Sequence, residues 1–440
     1  MSSSLDPSSL LVVTAPLDSN NPTDQLDDLR TALGSGKLGT AHLVHFPQFK
    51  TGTLSSLLTL SEQLAKHDPQ VTQSLQKTVD TIRSLTSPTA APSAAAASSS
   101  SSSSSAPRAE DRSSPLAHHL VLDDGRPYLS YLYPEDESGA DESGWEWNRA
   151  KYRVDGRSLA DVVDALLKEV ASIENAQRNK TQAYQVVKGQ LTQALRKKTG
   201  NLSMRSLADV VSASDFAGTN GSEYLETILV AVPKNLIKEW EASYERLTQM
   251  VVPRSSTKLA QDDEFALFSV TLFRRVKDEF AQKAREKKFI VRDFTYDEDA
   301  IERQRRDLEG LVVEEKELWA DLLRLSRINF SELFQVLVHL KVVRAYVESV
   351  LRYGLPAAYF AAVVKPEPKQ FDKLLSALSS FLVPASARDK KTGKAKRSGG
   401  SGDGGENDAA ALGEYATLME GDYYEFVVFA VERVEQEGEA

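Results

Sequence analysis

The 440-residue sequence contains no cysteine. Without thiols the chain can form no disulfide bond, no cysteine-ligated metal site and no cysteine nucleophile. Their absence fits a reducing compartment, because disulfide bonds persist mainly in oxidising ones. No apolar run approaches the roughly 18 residues that a membrane-spanning helix needs, so we expect no direct membrane span. The first residues also lack the basic start and small-residue cleavage site of a secretory signal.

An excess of positive charge is missing as well. The chain has 53 Lys and Arg against 63 Asp and Glu, which gives a net charge of −10. Broad nucleic-acid binding needs clustered cations that displace phosphate counterions, so we expect no nucleic-acid partner. The sequence is 41% hydrophobic and 26% charged, which is typical of globular proteins.

Catalytic motifs are absent from the sequence. The stretch GSGKLGT (34–40) departs from the phosphate-binding loop, because no glycine lies five positions before Gly36 and Leu38 replaces the magnesium-binding Ser or Thr. The hypothesis of a nucleotide-dependent enzyme rests on this stretch alone. We interpret the stretch as a polar turn instead. His42 and His45 have no evident third ligand. We therefore predict no catalytic residue, no metal site and no cofactor.

Two stretches have the composition of disordered segments. Residues 88–115 are rich in Ser, Ala and Pro, and residues 388–408 are basic at first and Gly-rich afterwards. Neither has enough apolar side chains to offset the entropy of ordering the chain. Apolar segments flank both, so we expect insertions into one folded body rather than linkers between domains.

The heptapeptide RSLADVV occurs twice, at 157–163 and at 205–211. In the first copy Ser158 and Asp161 are spaced as a helix cap, and apolar residues continue at helical spacing to Lys198. The second copy has the same spacing, in Ser206 and Asp209, and predicts a helix of about two turns. Nothing else matches between the copies, so we interpret them as a shared helix start rather than a repeat.

A second long helix is predicted from Asp297 to Gly354, with a break near Asn329. Between the long helices, two shorter amphipathic helices are predicted at 234–251 and 278–288. Alternating or continuous apolar runs predict seven strands. These are LLVVTAP (10–16), AHLVHF (41–46), ETILVAVP (226–233), FALFSVTLF (265–273), FIVRDF (289–294), YFAAVV (359–364) and YEFVVFAV (424–431).

This order of elements predicts an α+β protein shaped as an elongated dumbbell. The two long helices would pair as an antiparallel neck that joins two globular α/β ends, a head and a foot. The predicted parts are the foot (1–157 and 330–440), the neck helices (158–198 and 297–329) and the head (199–296).

Several stretches resemble the C subunit of the vacuolar-type H⁺-ATPase (V-ATPase). They are WNRAKY (147–152), RKKTGNLSMRSLADVV (196–211), VAVPK (230–234), MVVPRSS (250–256), FSVTLFRR (268–275), KAREKKFIVRDF (283–294) and YVESVLRYGLP (346–356). The resemblance implies a non-catalytic stator subunit of a rotary proton pump that takes part in its reversible assembly. The implied partners are the E and G subunits of the peripheral stalk and the N-terminal domain of the membrane-embedded a subunit, and some relatives associate with actin. The implied location is the cytoplasmic face of vacuolar and other internal membranes, and the cytosol after release.

Two basic clusters stand out in this acidic chain. One is Arg196, Lys197 and Lys198 at the end of the first long helix. The other is Lys283, Arg285, Lys287 and Lys288, shortly before the second. An antiparallel neck would bring both to one end, where they could form one surface for an acidic helical partner such as the E–G stalk. The alternative is that the first cluster stabilises a helix C-terminus and the second is a solvated face.

Long helices with basic clusters are also typical of proteins of another class. A cytoskeletal or membrane-associated helical scaffold would self-associate and bind filaments or lipid. The apolar spacing lacks the sustained heptads of a coiled coil, and a mixed α/β segment interrupts the helices. These features favour the pump component over the scaffold.

Overall fold

The computed structural model describes most of the chain, in several ranges. They are residues 6–17, 21–34, 36–87, 116–133, 144–208, 210–216, 222–294, 296–367, 369–382, 424 and 426–434. The predicted insertions 88–115 and 388–408 lie outside the described residues, as does Asp209. The chain divides into unit 1 (Met1–Asn179 and Asp321–Ala440) and unit 2 (Lys180–Ala320). The dumbbell and its division into head, neck and foot stay predictions.

The described residues form two sheets with helices packed on them. The helices are α1 (Pro22–Ala32), α2 (Leu54–Thr86), α3 (Leu159–Thr199), α4 (Ile237–Ser243), α5 (Lys277–Glu286), α6 (Glu298–Tyr353) and α7 (Phe371–Leu382). The strands are β1 (Leu10–Pro16), β2 (Gly39–His45), β3 (Trp145–Glu146), β4 (Leu225–Pro233), β5 (Thr257–Gln261), β6 (Phe265–Phe273), β7 (Ile290–Arg292), β8 (Tyr359–Pro366) and β9 (Val427–Val431). None of the helices described here has an apolar stretch long enough to cross a membrane.

Unit 1 is built on a five-stranded sheet in the order β3-β2-β8-β1-β9. Its pairs are antiparallel except for β2 with β3. Helices α2, α3 and α6 cover one face, where Val12 and Val363 are buried, and α1 and α7 cover the other, where Val13 and Val364 are buried. Because both faces are covered, β1 and β8 are continuous apolar runs instead of alternating ones.

Unit 2 is built on a four-stranded antiparallel sheet in the order β5-β6-β4-β7. Helices α4 and α5 pack on one face through Trp240 and Phe280, which are both fully buried. The segment that follows α3 packs on the other face, where Leu202 and Leu207 contact Leu229 of β4. Strand β5 has few apolar residues and was not predicted.

The predicted break at Asn329 is wrong, because α6 is continuous from Glu298 to Tyr353. The side chain of Asn329 donates to the side-chain Oε1 of Gln177 at 2.8 Å, and the Gln177 side chain donates to the Ser326 hydroxyl at 2.7 Å. These partners satisfy the buried amide, so it does not compete with the helix backbone.

The two copies of RSLADVV adopt different structures. In the first, Ser158 and Asp161 bond reciprocally, each side chain accepting from the other's backbone N–H at 3.2 Å. The predicted helix start is confirmed there. In the second copy the described residues form turns, so that prediction is wrong. Leu207 is buried against the sheet, and the Arg292 guanidinium binds the Arg205 carbonyl at 2.7 Å. These tertiary contacts hold the second copy in another conformation.

Candidate functional site

The end of α3 and the start of α6 border a cavity of about 220 Å³ in unit 2. Its polar lining includes Lys197, Lys198, Ser206 and Arg305, and its apolar lining includes Ile301, Leu308 and Leu311. The predicted residues Lys197 and Lys198 therefore border a concave site. Arg196, in the same helical turn, is exposed to solvent.

Local sequence signals position the cavity walls. Helix α3 ends before Gly200, whose N–H binds the Arg196 carbonyl at 3.1 Å. The chain then turns back, and the Ser206 N–H donates to the Lys197 carbonyl at 2.6 Å. Helix α6 begins after Asp297, whose carboxylate accepts from the N–H groups of the first turn at 3.0 and 3.3 Å.

The antiparallel packing of α3 and α6 within unit 2 brings Arg305 to the two lysines. Farther along the same pair, the Tyr184 hydroxyl donates to the buried Glu315 carboxylate at 3.2 Å. Burial, and then the Glu315 charge, raise the pKa of Tyr184 to about 12, so the phenol keeps its proton. Arg305 was not predicted from the sequence, although it lies in the basic run RQRR (303–306).

The cavity suits an anionic group attached to an apolar body. Three cations line it, with Asp307 as a single carboxylate, above a floor of aliphatic side chains. Lysine and arginine donate hydrogen bonds to carboxylate or phosphate oxygens, and the aliphatic floor can bury apolar surface. This arrangement supports the binding of such a group.

The second basic cluster lies on and just after α5, and carboxylates engage part of it. Lys283 forms an ion pair with Glu279 at 2.7 Å, and Lys287 lies 3.9 Å from Glu239 of α4. Arg285 and Lys288 are exposed. These exposed pairs reduce the local positive potential and contribute little stability.

Helix α5, which carries part of the second cluster, and the segment that follows the first cluster pack on opposite faces of the unit 2 sheet. Helix α5 joins the core formed with Trp240, whereas the segment after Lys198 joins the core formed with Leu229. We therefore treat the clusters as two surfaces in place of one.

The described residues show no sign of a metal centre, since no three His, Asp or Glu side chains among them are grouped as ligands. His42 packs edge-on against the Tyr133 ring, with 4.4 Å between centroids. The stretch around Lys37 forms a turn before β2, and Gly34 and Gly36 adopt φ of 68° and 96°. Glycine adopts such angles without a steric penalty, which gives both a structural role.

The family profile of the V-ATPase C subunit matches residues 10–427, a range that includes all of unit 2 and most of unit 1. The chain belongs to the V-ATPase C-subunit family. The predicted resemblance is thereby confirmed.

Relatives from several animals support membership of the V-ATPase C-subunit family. The C subunit of the V-type proton ATPase of Caenorhabditis briggsae is 36% identical over 360 residues, which cover 82% of this chain and 83% of the relative. The C 1-A subunit of the Danio rerio enzyme is 35% identical over 80% of this chain and 82% of its own length. The C 2 subunit of the Mus musculus enzyme is 33% identical over 83% of this chain and 87% of its own length.

The segment WNRAKY of this V-ATPase C-subunit family member encloses a buried histidine in unit 1. His339 of α6 lies 4.6 Å from the Trp147 ring and 4.5 Å from the Tyr152 ring, between centroids. Its Nδ1–H donates to the Gln335 carbonyl at 2.7 Å, and its Nε2 accepts from the Asn148 N–H at 3.3 Å. Burial, and then the nearby Lys151, lower the pKa of His339 to about 4. The ring is therefore neutral at pH 7 and holds the segment against α6.

Proposed function

We propose that the chain is a non-catalytic stator and regulatory subunit of the vacuolar-type proton-pumping ATPase. It links peripheral stalks of the soluble sector to the membrane sector, supports ATP-driven proton transport and takes part in reversible assembly. The family match over residues 10–427 carries this proposal. The cavity lined by Lys197, Lys198 and Arg305 supports a binding role.

The proposed partners are the E and G subunits of the peripheral stalk and the N-terminal domain of the membrane-embedded a subunit. The proposed location is the cytoplasmic face of vacuolar and other internal membranes, and the cytosol when the chain is released. Membership of the V-ATPase C-subunit family gives the scaffold alternative no support.

Reconstitution tests the proposed function. Pump complexes purified without this chain are assayed for vesicle acidification before and after the purified chain is added. We expect acidification to rise several-fold on addition, because rotation transports protons only when a stator resists the torque. Equal acidification with and without the chain would contradict the proposal.

The purified chain is expected neither to bind nor to hydrolyse ATP. This prediction rests on two observations. The residues around Lys37 lack the spacing of a phosphate-binding loop, and they form a turn. Calorimetric titration of the chain with magnesium and ATP should show no saturable heat. Micromolar binding that Lys37→Ala abolishes would disprove it.

The two basic surfaces are proposed to guide an acidic partner, most directly the E–G stalk. Two charge reversals test them separately, Lys197→Glu with Lys198→Glu and Lys287→Glu with Lys288→Glu. Clustered charges speed association, and the Debye length is only about 8 Å at physiological salt, so their effect is salt-sensitive. We expect the first pair to slow association with the purified stalk by about tenfold and to flatten its salt dependence.

The second reversal should have a smaller effect, because carboxylates already engage Lys283 and Lys287. Exposed Lys66 and Lys77 of α2 provide the matched control pair, also replaced by glutamate. Melting temperatures should stay within a few degrees of the wild type for all three variants. Wild-type rates and salt slopes in both test variants would show that these lysines are only a solvated face.

A further inference from the structure

The cavity between the end of α3 and the start of α6 joins basic and aliphatic side chains in one concave site. On α6, Ile301, Arg305 and Leu308 line it at i, i+4 and i+7, a spacing that places them on one helical face. On α3, Ala194 and Lys198 line it at i and i+4. We call this site the α3–α6 cavity.

A third segment of unit 2 completes the α3–α6 cavity. Ser206 and Ala208 also line it. Two hydrogen bonds fix this segment, because the Ser206 N–H donates to the Lys197 carbonyl at 2.6 Å and the Arg292 guanidinium donates to the Arg205 carbonyl at 2.7 Å. The cavity is therefore preformed, and a ligand needs to order little of the chain when it binds.

The floor of the α3–α6 cavity offers apolar surface to a ligand. Ile301, Leu308 and Leu311 are half-buried, and Ala194 of α3, which also lines the cavity, has only a methyl group. Close-packed protein interiors leave few spaces larger than a water molecule. A cavity of about 220 Å³ therefore leaves aliphatic surface that a ligand would bury favourably.

Positive charge surrounds this aliphatic floor. Lys197, Lys198 and Arg305 line the cavity, and Asp307 is the single carboxylate among the described lining residues. Lysine and arginine donate charge-assisted hydrogen bonds to carboxylate oxygens, which are stronger than bonds between neutral groups. The charges of the lining therefore favour an anion.

The end of α3 also presents carbonyl groups, which oppose an anion because the C-terminal end of a helix carries partial negative charge. Two of these groups are engaged. The Arg196 carbonyl accepts from the Gly200 N–H at 3.1 Å, and the Lys197 carbonyl accepts from the Ser206 N–H at 2.6 Å. The charges of Lys197 and Lys198 therefore exceed the roughly half negative charge of the helix terminus.

The size and lining of the α3–α6 cavity favour a small aliphatic anion over a nucleotide. Its volume of about 220 Å³ lies below the range of about 300–1,000 Å³ that is typical of sites for drug-sized ligands. No aromatic side chain is among the described residues that line it, so a nucleobase would find no ring to stack on. A carboxylate on an aliphatic chain matches both the cations and the floor.

We propose that the α3–α6 cavity binds a medium-chain aliphatic carboxylate. The carboxylate contacts the two lysines and Arg305, and the chain covers the aliphatic floor. This inference goes beyond the proposed function, because it concerns the chain alone and needs no other subunit.

Calorimetric titration of the full-length chain with octanoate tests this assignment. We expect saturable binding at one site with a dissociation constant below about 1 mM, a modest affinity for a small ligand. Octanol lacks the charge and acetate lacks the chain, so each should bind at least about tenfold more weakly. Added salt should weaken octanoate binding, because Lys197, Lys198 and Arg305 are exposed to solvent.

A charge variant tests the basic part of the lining. Arg305→Gln removes one cation and should raise the dissociation constant of octanoate at least about fivefold. Arg306→Gln is the matched control, because Arg306 is the next residue of α6 but pairs with Glu302 at 2.5 Å and does not line the cavity. It should bind octanoate as the wild type does.

A filled cavity tests the aliphatic floor without removing a charge. Ala194→Leu places a larger apolar side chain in the cavity and should abolish saturable octanoate binding. Its melting temperature should be unchanged or raised, because leucine is a good helix former and fills apolar space. Val186→Leu is the control, an enlargement at a position of α3 that is 52% exposed, and it should leave octanoate binding unchanged.

Equal affinity for octanoate in the wild type, Arg305→Gln and Ala194→Leu would place the ligand elsewhere and overturn the assignment, as would a wild-type chain without saturable binding. Octanol that binds as tightly as octanoate would show that the cations are not used. Tighter binding of a hexaglutamate peptide, lost in Arg305→Gln, would assign the cavity to an acidic protein partner instead. None of these results depends on the reconstitution assay, so failure of this inference is distinguishable from failure of the proposed function.

Discussion

Replacing Asp68 by alanine is expected to destabilise unit 1 by about 3–5 kcal/mol, because it leaves two cations partly buried without their counter-ion. Asp68 of α2 is 3% exposed, and its carboxylate pairs with Lys341 of α6 at 2.8 Å and also with Arg344. The Arg344 guanidinium lies over the Phe429 ring at 4.5 Å, which confines it further. The loss of stability therefore exceeds the contribution of a surface ion pair, which is about 0–1 kcal/mol.

Urea titration followed by hydrogen exchange of β8 peptides would measure this loss in unit 1 alone. Peptides from β6 in unit 2 serve as the internal reference and should be unaffected. A triple variant, Asp68→Leu with Lys341→Met and Arg344→Leu, removes all three charges. It should recover much of the lost stability, because apolar replacement of a buried ion group is often neutral. A loss below about 1 kcal/mol in Asp68→Ala would show that the charges are effectively solvated.

Unit 1 is also expected to lose stability as the pH falls from about 6.5 towards 4, through His339. Its pKa is about 4 in the folded chain against an ordinary value of 6.5. In that window the unfolded chain binds a proton that the folded chain does not, so protonation favours unfolding. Within this window each unit by which the pH falls lowers the free energy of unfolding by about 1.4 kcal/mol. The loss at pH 5 is therefore about 2 kcal/mol.

The groups around His339 account for the direction of this effect. Burial raises the pKa values of Tyr131 and Tyr152, so both stay neutral and offer the imidazolium no counter-charge. The nearby carboxylates Glu169 and Glu332 lie at 2.6 and 3.8 Å from Lys151. The side chains around His339 therefore stabilise the neutral imidazole and not its cation.

Unfolding free energies of unit 1 at pH 7 and pH 5 would test the His339 prediction. His339→Gln should be less stable than the wild type at pH 7, because ring packing is lost, yet its loss between pH 7 and pH 5 should be smaller by about 2 kcal/mol. His118→Gln, which changes an exposed histidine, should retain the wild-type pH dependence. An unchanged pH dependence in His339→Gln would show that other groups produce the acid sensitivity.

Local signals in the sequence were sufficient for much of the secondary structure. Strands β1 and β6 have the predicted bounds 10–16 and 265–273, because apolar residues followed by turn residues define a strand locally. Helix α3 begins after Ser158, where the reciprocal cap needs only residues three positions apart. Membership of the V-ATPase C-subunit family was likewise evident from contiguous motifs.

Helix α2 was missed, and with it Asp68. Its partners Lys341 and Arg344 are more than 270 positions away in sequence, so no local pattern relates them.

Only the tertiary structure decided which conformation each copy of the heptapeptide adopts and where the basic clusters lie. The heptapeptide starts a helix at 157–163, whereas the described residues of its second copy (205–208, 210 and 211) form bends and turns. There Leu207 is buried against β4 and Arg205 offers its carbonyl to Arg292. The antiparallel packing of α3 and α6 gives Lys197 and Lys198 a cavity with Arg305. Helix α5 and the segment that follows Lys198 pack on opposite faces of the unit 2 sheet, since alternate residues of a strand point to opposite faces. The spacing of residues in the sequence sets which of them can share a face of a helix or strand. Contacts between distant segments determine what that face packs against.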